Sequence, residues 1–450
     1  MILPNAFEKN MRLLIGERFE DYLSSLNKPA KRGFRINKNY ISVSDFKKVF
    51  PYPYSEISGF DGLNNLLTEE KVGNSIAHHL GLFYVQEPSS MLAAESLNVE
   101  EGDKVLDLCS APGGKASQIL DKNKTGVVVC NEIVRSRANI LFSNIERQGF
   151  KNAIITSLTP QKLAEQFEGY FDKILVDAPC SGEGMFRKDP QTIIEWNEGL
   201  PVFNHERQME ILHEADKMLS CGGVLVYSTC TFNVDENERT VYEFAKKYDY
   251  EILPLPENVQ TKLAKGIEYN GNRDTISCGR VFPHNNYGEG QFIAKLRKKS
   301  EKICINNAKR PKNNSISRIE AKIVEDFLKE NTKISDYNLY KVGNDIYIYN
   351  NDVQPFKNGI VSFGVNVGSI EKGRIIPHHQ LFKAYGNEFI NKIDLDINDK
   401  RINEYLSGNE IEVDNKNGFA CVLVNGVPLG GGKVVSGRLK NHYPKGLRIK

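Results

Sequence analysis

Two cysteines in the sequence stand directly after short apolar runs that predict β-strands. Cys180 follows the run Lys173–Asp177, and Cys230 follows the run Val224–Ser228. Neighbouring parallel strands lie about 4.8 Å apart, so two such thiols can converge on one substrate atom. Many cysteines only fill a core, but these two lie at the edge of the predicted sheet where ligands bind. The pair therefore predicts nucleophilic chemistry by a thiolate.

A turn rich in small residues follows the first predicted strand of the same region, Lys104–Cys109. Glycines at such a turn let the backbone approach a ligand closely, and the following helix N-terminus favours an anionic group. Glu132 closes the second predicted strand and can accept hydrogen bonds from ribose hydroxyls. These features fit a nicotinamide enzyme as well as a methyltransferase, but Gly-x-Gly-x-x-Gly is absent, and a merely structural turn is the alternative. The turn consists of Cys109, Ser110, Ala111, Pro112, Gly113, Gly114 and Lys115.

The combination of a methyl-donor pocket, two thiols and the carboxylate of Asp177 suits one reaction. Carbon 5 of a pyrimidine is a poor nucleophile, but thiolate addition to carbon 6 makes it enamine-like and able to attack a sulfonium methyl group. A base then removes the carbon-5 proton, and elimination expels the thiol. Asp177 can bond to the N3/N4 edge of cytosine and spread the developing charge, while the second thiol can assist release.

The elements that must position these groups form an α/β pattern between about residues 101 and 297. Further predicted strands are Gly126–Cys130 and Ala153–Thr156, and a helix is predicted over His205–Leu219. Continuously apolar strands that alternate with helices predict a parallel sheet covered by helices on both faces.

The composition is that of a globular protein, with 450 residues, 40% apolar and 26% charged. The net charge of +2 is uninformative, but basic residues cluster in Lys28–Lys48, Lys295–Lys322 and Lys433–Lys450. Three such runs around one catalytic-looking core favour a polyanionic partner such as nucleic acid, although solvated surface charge explains any single run. Arg187 and Lys188, beside the thiol loop, are candidates for phosphate contacts or for ordinary surface charge.

Other classes of protein are disfavoured. No apolar run is long enough for a transmembrane helix, and the charged first residues do not resemble a signal peptide. Eight cysteines without framework spacing predict free thiols in a reducing cytoplasm. The adjacent pairs His78-His79 and His378-His379 cannot point at one metal ion from a helix or strand, so no metal site is expected.

The order of three motifs resembles the Fmu/Sun/Nop family of RNA cytosine-5 methyltransferases. The motifs are the turn 109–115, Asp177-Ala-Pro-Cys-Ser-Gly182 and Ser228-Thr-Cys-Thr231, and Gln86–Ser90 resembles the family's lead-in. The resemblance implies a Rossmann-like class I methyltransferase fold with S-adenosyl-L-methionine as cofactor. It implies Cys230 as nucleophile, Cys180 as the thiol that assists release, and Asp177 and Lys115 as further catalytic residues. It places the whole turn, Glu132 and Asp177 around the cofactor and the target base.

Two further segments resemble the branch of that family often called RsmF, which acts on 16S ribosomal RNA. They are Gly182–Pro190 and the carboxyl-terminal stretch Val424–Arg448, which is similar to that branch's PUA-like RNA-binding tail. The family's usual cofactor-contacting acid after strand three is missing, because Ser157 and Thr159 stand there. We carry no residue over at that position.

We expect five segments along the chain. They are an α+β RNA-binding lead-in domain over 1–100, the methyltransferase domain over 101–297, a polar linker over 298–317, a small domain over 318–375 and a β-rich PUA-like domain over 376–450. The expected partner is 16S ribosomal RNA or the small ribosomal subunit, without membrane or metal; no oligomer is implied. The alternatives are the same reaction on transfer RNA, and a non-catalytic RNA-binding ribosome assembly factor.

Overall fold

The computed structural model describes residues 2–285, 287–299, 316–349, 353 and 358–449. Within these residues the strands form four sheets, of ten, five, four and four strands. Most of the predicted linker 298–317 lies outside the described residues.

The amino-terminal part combines helices with a small antiparallel sheet in the order β2-β3-β1-β4. Its aromatic core includes Phe34, Phe46, Phe50 and Phe83, whose rings lie 4.8–6.0 Å apart, the spacing at which aromatic pairs attract. Its elements are α1 (Asn5–Ile15), α2 (Phe19–Leu26), β1 (Gly33–Ile36), α3 (Val43–Val49), β2 (Tyr54–Glu56), β3 (Leu63–Leu66), α4 (Ile76–His79) and β4 (Phe83–Val85).

The ten-stranded sheet forms the centre of the molecule. Its order is β11-β12-β13-β9-β8-β5-β6-β7-β16, with β10 paired to β13. The strands from the α/β pattern are β5 (Lys104–Asp107), β6 (Val127–Asn131), β7 (Ala153–Thr156), β8 (Phe171–Asp177), β9 (Leu219–Thr229), β10 (Tyr250–Leu253), β11 (Ala264–Lys265), β12 (Gly279–Val281) and β13 (Gln291–Lys298). The helices are α5 (Pro88–Ser96), α6 (Gly114–Lys122), α7 (Arg135–Arg147), α8 (Pro160–Ala164), α9 (Gln191–Glu195), α10 (Leu200–Met218), α11 (Thr240–Tyr248) and α12 (Glu257–Gln260).

The predicted parallel pairing is present among β5 to β9, which pair with one another in parallel. Strand β13 pairs antiparallel with β9, so the whole sheet is mixed. The predicted third strand has its predicted bounds. The helix predicted over His205–Leu219 begins earlier, at Leu200, and β9 starts directly after its last residue. The run Cys221-Gly222-Gly223, a typical helix-stopping sequence, therefore lies within the strand.

The continuous apolar character of the parallel strands has a direct cause. In β5 and β8 successive side chains belong to opposite cores: Leu106, Ile174 and Val176 pack on one face, and Val105 and Leu175 pack on the other. The first core also contains side chains of α8, α10 and α11, and the second contains side chains of α5, α6 and α7. A strand buried on both faces loses the polar alternation of a half-exposed strand, and each buried aliphatic side chain stabilises the fold by about 1.5–3 kcal/mol.

The segment after the linker adds a third sheet and extends the central one. The third sheet has the order β14-β15-β17-β18, whereas β16 pairs antiparallel with β7 and so joins the central sheet. Helix α13 begins with a capping box in which Ser317 and Glu320 each accept the other's backbone N–H. The elements are α13 (Arg318–Asn331), β14 (Asn338–Val342), β15 (Asp345–Tyr349), β16 (Ile360–Phe363), β17 (Val365–Glu371), β18 (Arg374–Pro377) and α14 (His379–Tyr385).

The carboxyl-terminal sheet, in the order β19-β21-β22-β23-β20, shares one hydrophobic core with the amino-terminal part. Phe34 and Phe83 belong to the same buried cluster as Tyr405 and Val422. The ammonium group of Lys383, in α14, donates to the carbonyl of Leu80 at 3.0 Å. The remaining elements are β19 (Lys392–Leu395), α15 (Arg401–Leu406), β20 (Ile411–Glu412), β21 (Gly418–Val424), β22 (Val427–Val435) and β23 (Arg438–Asn441).

The expectation of free thiols is correct for six cysteines and wrong for one. Cys221 is disulfide-bonded. The free cysteines are Cys109, Cys130, Cys180, Cys230, Cys278 and Cys421. Within the described ranges, none of the helices combines the length and the apolar character needed to cross a membrane.

A buried ion pair ties β12 to the segment that follows Cys230. Arg280 donates from Nε to Glu238 at 2.7 Å and from Nη1 to the carbonyl of Phe232 at 2.8 Å, and its Nη2 also reaches Glu238. Both charged side chains are almost fully buried. Removal of one member of such a pair leaves an uncompensated charge in the interior.

We therefore expect Arg280→Ala to lower the free energy of unfolding by about 3–5 kcal/mol, measured by chemical denaturation. Arg438→Ala is the matched control, because its pair with Glu412 is exposed and exposed pairs contribute little. Equal stability of the two variants would contradict the role of the buried pair.

Candidate functional site

The carboxyl ends of β6, β5, β8 and β9 meet at one edge of the central sheet. Asp177, the last residue of β8, lies opposite Ser228 in β9, two residues before Cys230. The turn 109–115 follows β5, and Glu132 follows β6 directly. The sheet therefore brings the predicted site residues together at the edge where ligands bind in open α/β sheets.

The turn 109–115 is held in place from both sides. The backbone N–H of Ser110 donates to the carbonyl of Asn131 at 2.8 Å, and the amide of Asn144 in α7 donates to the carbonyl of Pro112 at 2.9 Å. The peptide bond between Ala111 and Pro112 is cis. Gly113 has a φ of 109°, a backbone conformation that favours glycine, and a Cβ there would lie 2.9 Å from Leu141 Cδ1, so the end of that side chain would have to shift.

Asp107, at the end of β5, is a functional candidate that the sequence analysis did not single out. Its Oδ2 accepts from the hydroxyl of Ser110 at 3.0 Å, while its Oδ1 is buried and has no hydrogen-bond partner among the described residues. Burial, with the nearby charge of Asp177, raises the pKa of Asp107 to about 7. An unpartnered buried oxygen is costly unless a ligand satisfies it. An acidic residue at the end of the first strand of the sheet is the sequence signal by which Asp107 could have been identified.

Glu132 is buried at the end of β6, and its carboxylate accepts from the backbone N–H of Val134 at 2.9 Å. Arg137 Nη1 lies 3.4 Å from its other oxygen. The next two side chains, Ile133 and Val134, are unusually exposed for apolar residues, at 48% and 45%. An acceptor beside an exposed apolar surface suits a nucleoside, because the ribose carries hydroxyls and the base has apolar faces.

The position after β7, where the family's usual acid is missing, carries structural contacts. The hydroxyl of Thr159 caps α8 by accepting from the backbone N–H of Lys162 at 3.4 Å. The hydroxyl of Ser157 donates to the carbonyl of Ile133 at 3.3 Å.

These residues fit S-adenosyl-L-methionine, the cofactor expected from the sequence. The unpartnered oxygen of Asp107 can accept from an ammonium group, and Glu132 can accept from ribose hydroxyls.

The two predicted thiols are in contact, with 3.2 Å between Cys180 Sγ and Cys230 Sγ. Both side chains are half-buried. The hydrogen bond with Cys230, together with burial, raises the pKa of the Cys180 thiol well above its ordinary value. Either sulfur can act as the donor in this contact.

Lys115 links the cofactor turn to the thiol strands through Asp177. Its ammonium group donates to Asp177 Oδ2 at 2.8 Å, and the hydroxyl of Ser228 donates to Asp177 Oδ1 at 2.6 Å. Burial lowers the pKa of Lys115, but the charge of Asp177 and the hydrogen bond to it outweigh burial, so the pKa is raised overall. Lys115 is therefore charged at neutral pH and keeps the Asp177 carboxylate in place.

Of the two basic candidates beside the thiol loop, Arg187 forms contacts within the protein. Arg187 is not available to phosphate: it donates to Glu289 from Nε at 2.9 Å, also contacts it through Nη2, and donates to the carbonyl of Ser25 at 2.9 Å. The neighbouring Lys188 is exposed. Over the part of the chain that the structure describes, no group of three or more His, Cys, Asp or Glu side chains is arranged to hold a metal ion.

Comparison with known families gives matches along most of the chain. The model described as 16S rRNA methyltransferase RsmB/F matches residues 94–297. The N-terminal domain of 16S rRNA methyltransferase RsmF matches residues 3–88, and the methyltransferase RsmF PUA domain matches residues 392–449.

Individual relatives agree with these matches. Ribosomal RNA small subunit methyltransferase F of Vibrio atlanticus is 31% identical over 99% of this chain and 97% of its own length, and that of Vibrio campbellii is 30% identical with the same coverage. Among solved structures, a methyltransferase homologue from Pyrococcus horikoshii is 29% identical, with a TM-score of 0.58, over 66% of this chain and 95% of that one. NSun6 from Pyrococcus horikoshii with SFG is 21% identical, with a TM-score of 0.57, over 66% of this chain and 99% of that one, and shows the same fold.

The methyl donor is S-adenosyl-L-methionine, and the site predicts how one residue contributes to its binding. We expect Glu132→Ala to weaken the binding of S-adenosylhomocysteine about 10- to 100-fold, because a hydrogen bond to a charged group contributes roughly 1.5–3 kcal/mol. Isothermal titration calorimetry measures the change. Glu165→Ala, which removes an exposed carboxylate after α8, is the control; an unchanged Kd in Glu132→Ala would exclude this contact.

Proposed function

The chain belongs to the 16S rRNA methyltransferase RsmB/F family, and we propose that it methylates carbon 5 of a cytosine in 16S ribosomal RNA through a transient bond from Cys230 to carbon 6. The observation that carries this proposal is the 3.2 Å contact between the sulfur atoms of Cys180 and Cys230 at the cofactor edge of the sheet. Two thiols with a purely structural role do not require an ammonium–carboxylate pair beside them. Covalent chemistry on a pyrimidine uses both the thiols and the ammonium–carboxylate pair.

Cys230 is the nucleophile in this proposal. Its thiolate bonds to carbon 6, and the electron pair of the 5,6 double bond becomes available at carbon 5 for the methyl group. The raised pKa of Cys180 supports this assignment, because it disfavours the thiolate form of Cys180, and the thiolate is the reactive form of a cysteine. S-adenosyl-L-methionine supplies the electrophilic methyl group when it is bound.

Asp177 selects the target base, and Lys115 orients the Asp177 carboxylate. Each Asp177 oxygen accepts one hydrogen bond inside the protein, from Lys115 or from Ser228. A carboxylate oxygen can accept a second, so Asp177 can take the amino group of cytosine, which uracil lacks. The ammonium group of Lys115 holds this carboxylate by its hydrogen bond and can stabilise negative charge that develops on the ring.

Cys180 assists release. After a base removes the carbon-5 proton, the bond between Cys230 and carbon 6 breaks and its electron pair returns to the Cys230 sulfur. The S–H of Cys180 can donate to that sulfur across 3.2 Å, which stabilises the departing thiolate. The target cytosine must be unstacked for this attack, since carbon 6 is shielded in a helix.

The remaining residues of the turn hold the cofactor in this proposal, together with Glu132 and Asp107. The family match to the RsmF terminal domains supports 16S ribosomal RNA as substrate, and such a substrate places the protein in the cytoplasm. The turn residues concerned are Cys109, Ser110, Ala111, Pro112, Gly113 and Gly114.

The two cysteines predict opposite phenotypes. We expect Cys230→Ala to abolish methyl transfer, because no bond to carbon 6 can form. Cys180→Ala should form the bond but release it slowly, and so accumulate a covalent protein–RNA adduct that survives denaturing electrophoresis. Transfer of radioactive methyl groups to bulk RNA measures the first effect. Wild-type activity in Cys230→Ala would exclude the nucleophile, and absence of an adduct in folded Cys180→Ala would exclude the release role.

The substrate is tested by bisulfite mapping of ribosomal and transfer RNA from cells with and without the protein. We expect one or more 5-methylcytosines to disappear from 16S ribosomal RNA only, and to return when the wild-type gene, but not Cys230→Ala, is restored. Loss confined to transfer RNA would reassign the substrate. Loss of no methylcytosine would favour a non-catalytic assembly factor.

A further inference from the structure

One turn of helix directly after the Cys230 strand contacts the residues on both sides of the thiol pair. It is the π-helical turn Asp235–Arg239, and three of its side chains, those of Glu236, Asn237 and Glu238, are fully buried. We propose that Glu236 and Asn237 are positioning residues that together hold the two thiols in contact: Glu236 fixes the loop of Cys180, and Asn237 fixes the end of the Cys230 strand. The roles of the thiols in this inference rest on the proposed function.

The contacts of Glu236 reach the residue after Cys180. Its Oε1 accepts from the backbone N–H of Ser181 at 2.8 Å, and its Oε2 accepts from the hydroxyl of Ser181. Gln208, in α10, donates to Glu236 Oε1 at 3.1 Å and to the carbonyl of Pro179 at 3.0 Å. The residues before and after Cys180 are thereby held by one carboxylate and the amide that binds it.

The contacts of Asn237 reach the residues on either side of Cys230. The hydroxyl of Thr229 donates to Asn237 Oδ1 at 2.6 Å, and Asn237 Nδ2 donates to the carbonyl of Thr231 at 3.0 Å. Since Glu236 and Asn237 are adjacent in one turn, a displacement of either loop relative to the other must break hydrogen bonds in the interior.

Two further bonds connect the loops directly. The hydroxyls of Ser181 and Thr231 lie 2.8 Å apart, and the backbone N–H of Gly184 donates to the carbonyl of Cys230 at 2.9 Å. The turn itself is tied to β9 because the hydroxyl of Tyr227 donates to the carbonyl of Glu236 at 2.6 Å. Strands β8 and β9 alone set a backbone spacing of about 4.8 Å; the loops beyond them need these additional bonds to bring the sulfur atoms to 3.2 Å.

The choice of a carboxylate at position 236 is physically informative. Burial raises the pKa of Glu236 to about 7, although the hydrogen bonds from Ser181 and Gln208 oppose the shift. Burial of an acid destabilises a fold unless donors satisfy it, and an apolar residue of the same size is often more stable. A π-helical turn is also less favourable than an α-helix and occurs frequently at functional sites. The buried carboxylate and the π-helical turn are both explained by their role in holding the two thiols in contact.

The experiment measures the thiol contact without RNA. Diamide oxidises two neighbouring thiols to a disulfide and takes up the two electrons and two protons itself. We expect the full-length wild type to form a Cys180–Cys230 disulfide rapidly, identified by mass spectrometry of its peptides. In Glu236→Ala and in Asn237→Ala the rate should fall at least tenfold, because the sulfur atoms separate. Glu236→Gln, which keeps one oxygen acceptor for Ser181, should fall less than Glu236→Ala.

The control is Glu243→Ala, which removes a carboxylate seven residues further along. Glu243 pairs with Arg239 and His205 and, among the described residues, has no hydrogen bond or ion pair with either thiol loop. It should oxidise at the wild-type rate. Binding of S-adenosylhomocysteine shows that each variant is folded, and Glu236→Gln replaces Glu236→Ala if the latter does not fold. A wild-type oxidation rate in folded Glu236 and Asn237 variants would overturn the inference, as would failure of the wild type to form the disulfide.

The reaction provides a second readout with a specific direction. Because Cys180 acts in release, Glu236→Gln should accumulate the denaturation-resistant RNA adduct as Cys180→Ala does, whereas a variant that was merely unstable would lose adduct and product together. If the wild type forms the disulfide but transfers no methyl group, the proposed function fails and the positioning role of the turn remains. If methyl transfer occurs and the oxidation rates of all variants are equal, the positioning role fails alone.

Discussion

The parallel pairing of β8 with β9 is the interaction on which the site depends. The register that sets Asp177 opposite Ser228 brings Cys180 and Cys230 out of the same edge of the sheet. The other groups of the site are attached to this pair of strands. Lys115 reaches it from the helix after the neighbouring strand, and the buried turn after β9 ties the two loops to each other. A shift of β8 by one residue would turn the side chain of Asp177 to the opposite face of the sheet.

Much of this arrangement could be predicted from the sequence because its causes are local. Strands buried on both faces are apolar throughout, turns with glycine follow them, and residues directly after parallel strands collect at one edge. The thiols and Asp177 could be recognised by that reasoning. Their contact at 3.2 Å could not, because it depends on hydrogen bonds from Glu236 and Asn237, whose spacing in the sequence resembles that of any polar helix turn.

The parts that sequence reasoning missed depend on distant partners. The sequence leaves Arg187 as a candidate for a phosphate contact or for ordinary surface charge, but its guanidinium binds Glu289 and the carbonyl of Ser25 in the amino-terminal part. The antiparallel strand β16 joins the central sheet through backbone hydrogen bonds to β7, and backbone pairing at a sheet edge carries little side-chain signal. The disulfide bond of Cys221 was likewise not indicated by the spacing of the cysteines in the sequence.

The position of β16 has a consequence for how the molecule tolerates shortening. Without it, the edge of the ten-stranded sheet would be β7, a fully buried apolar strand with a row of unpaired backbone groups, and such an edge recruits strands from other molecules. Removal of β16 would therefore leave a catalytic fragment that aggregates through this exposed edge. The segment that carries β16 thus protects the edge of the central sheet.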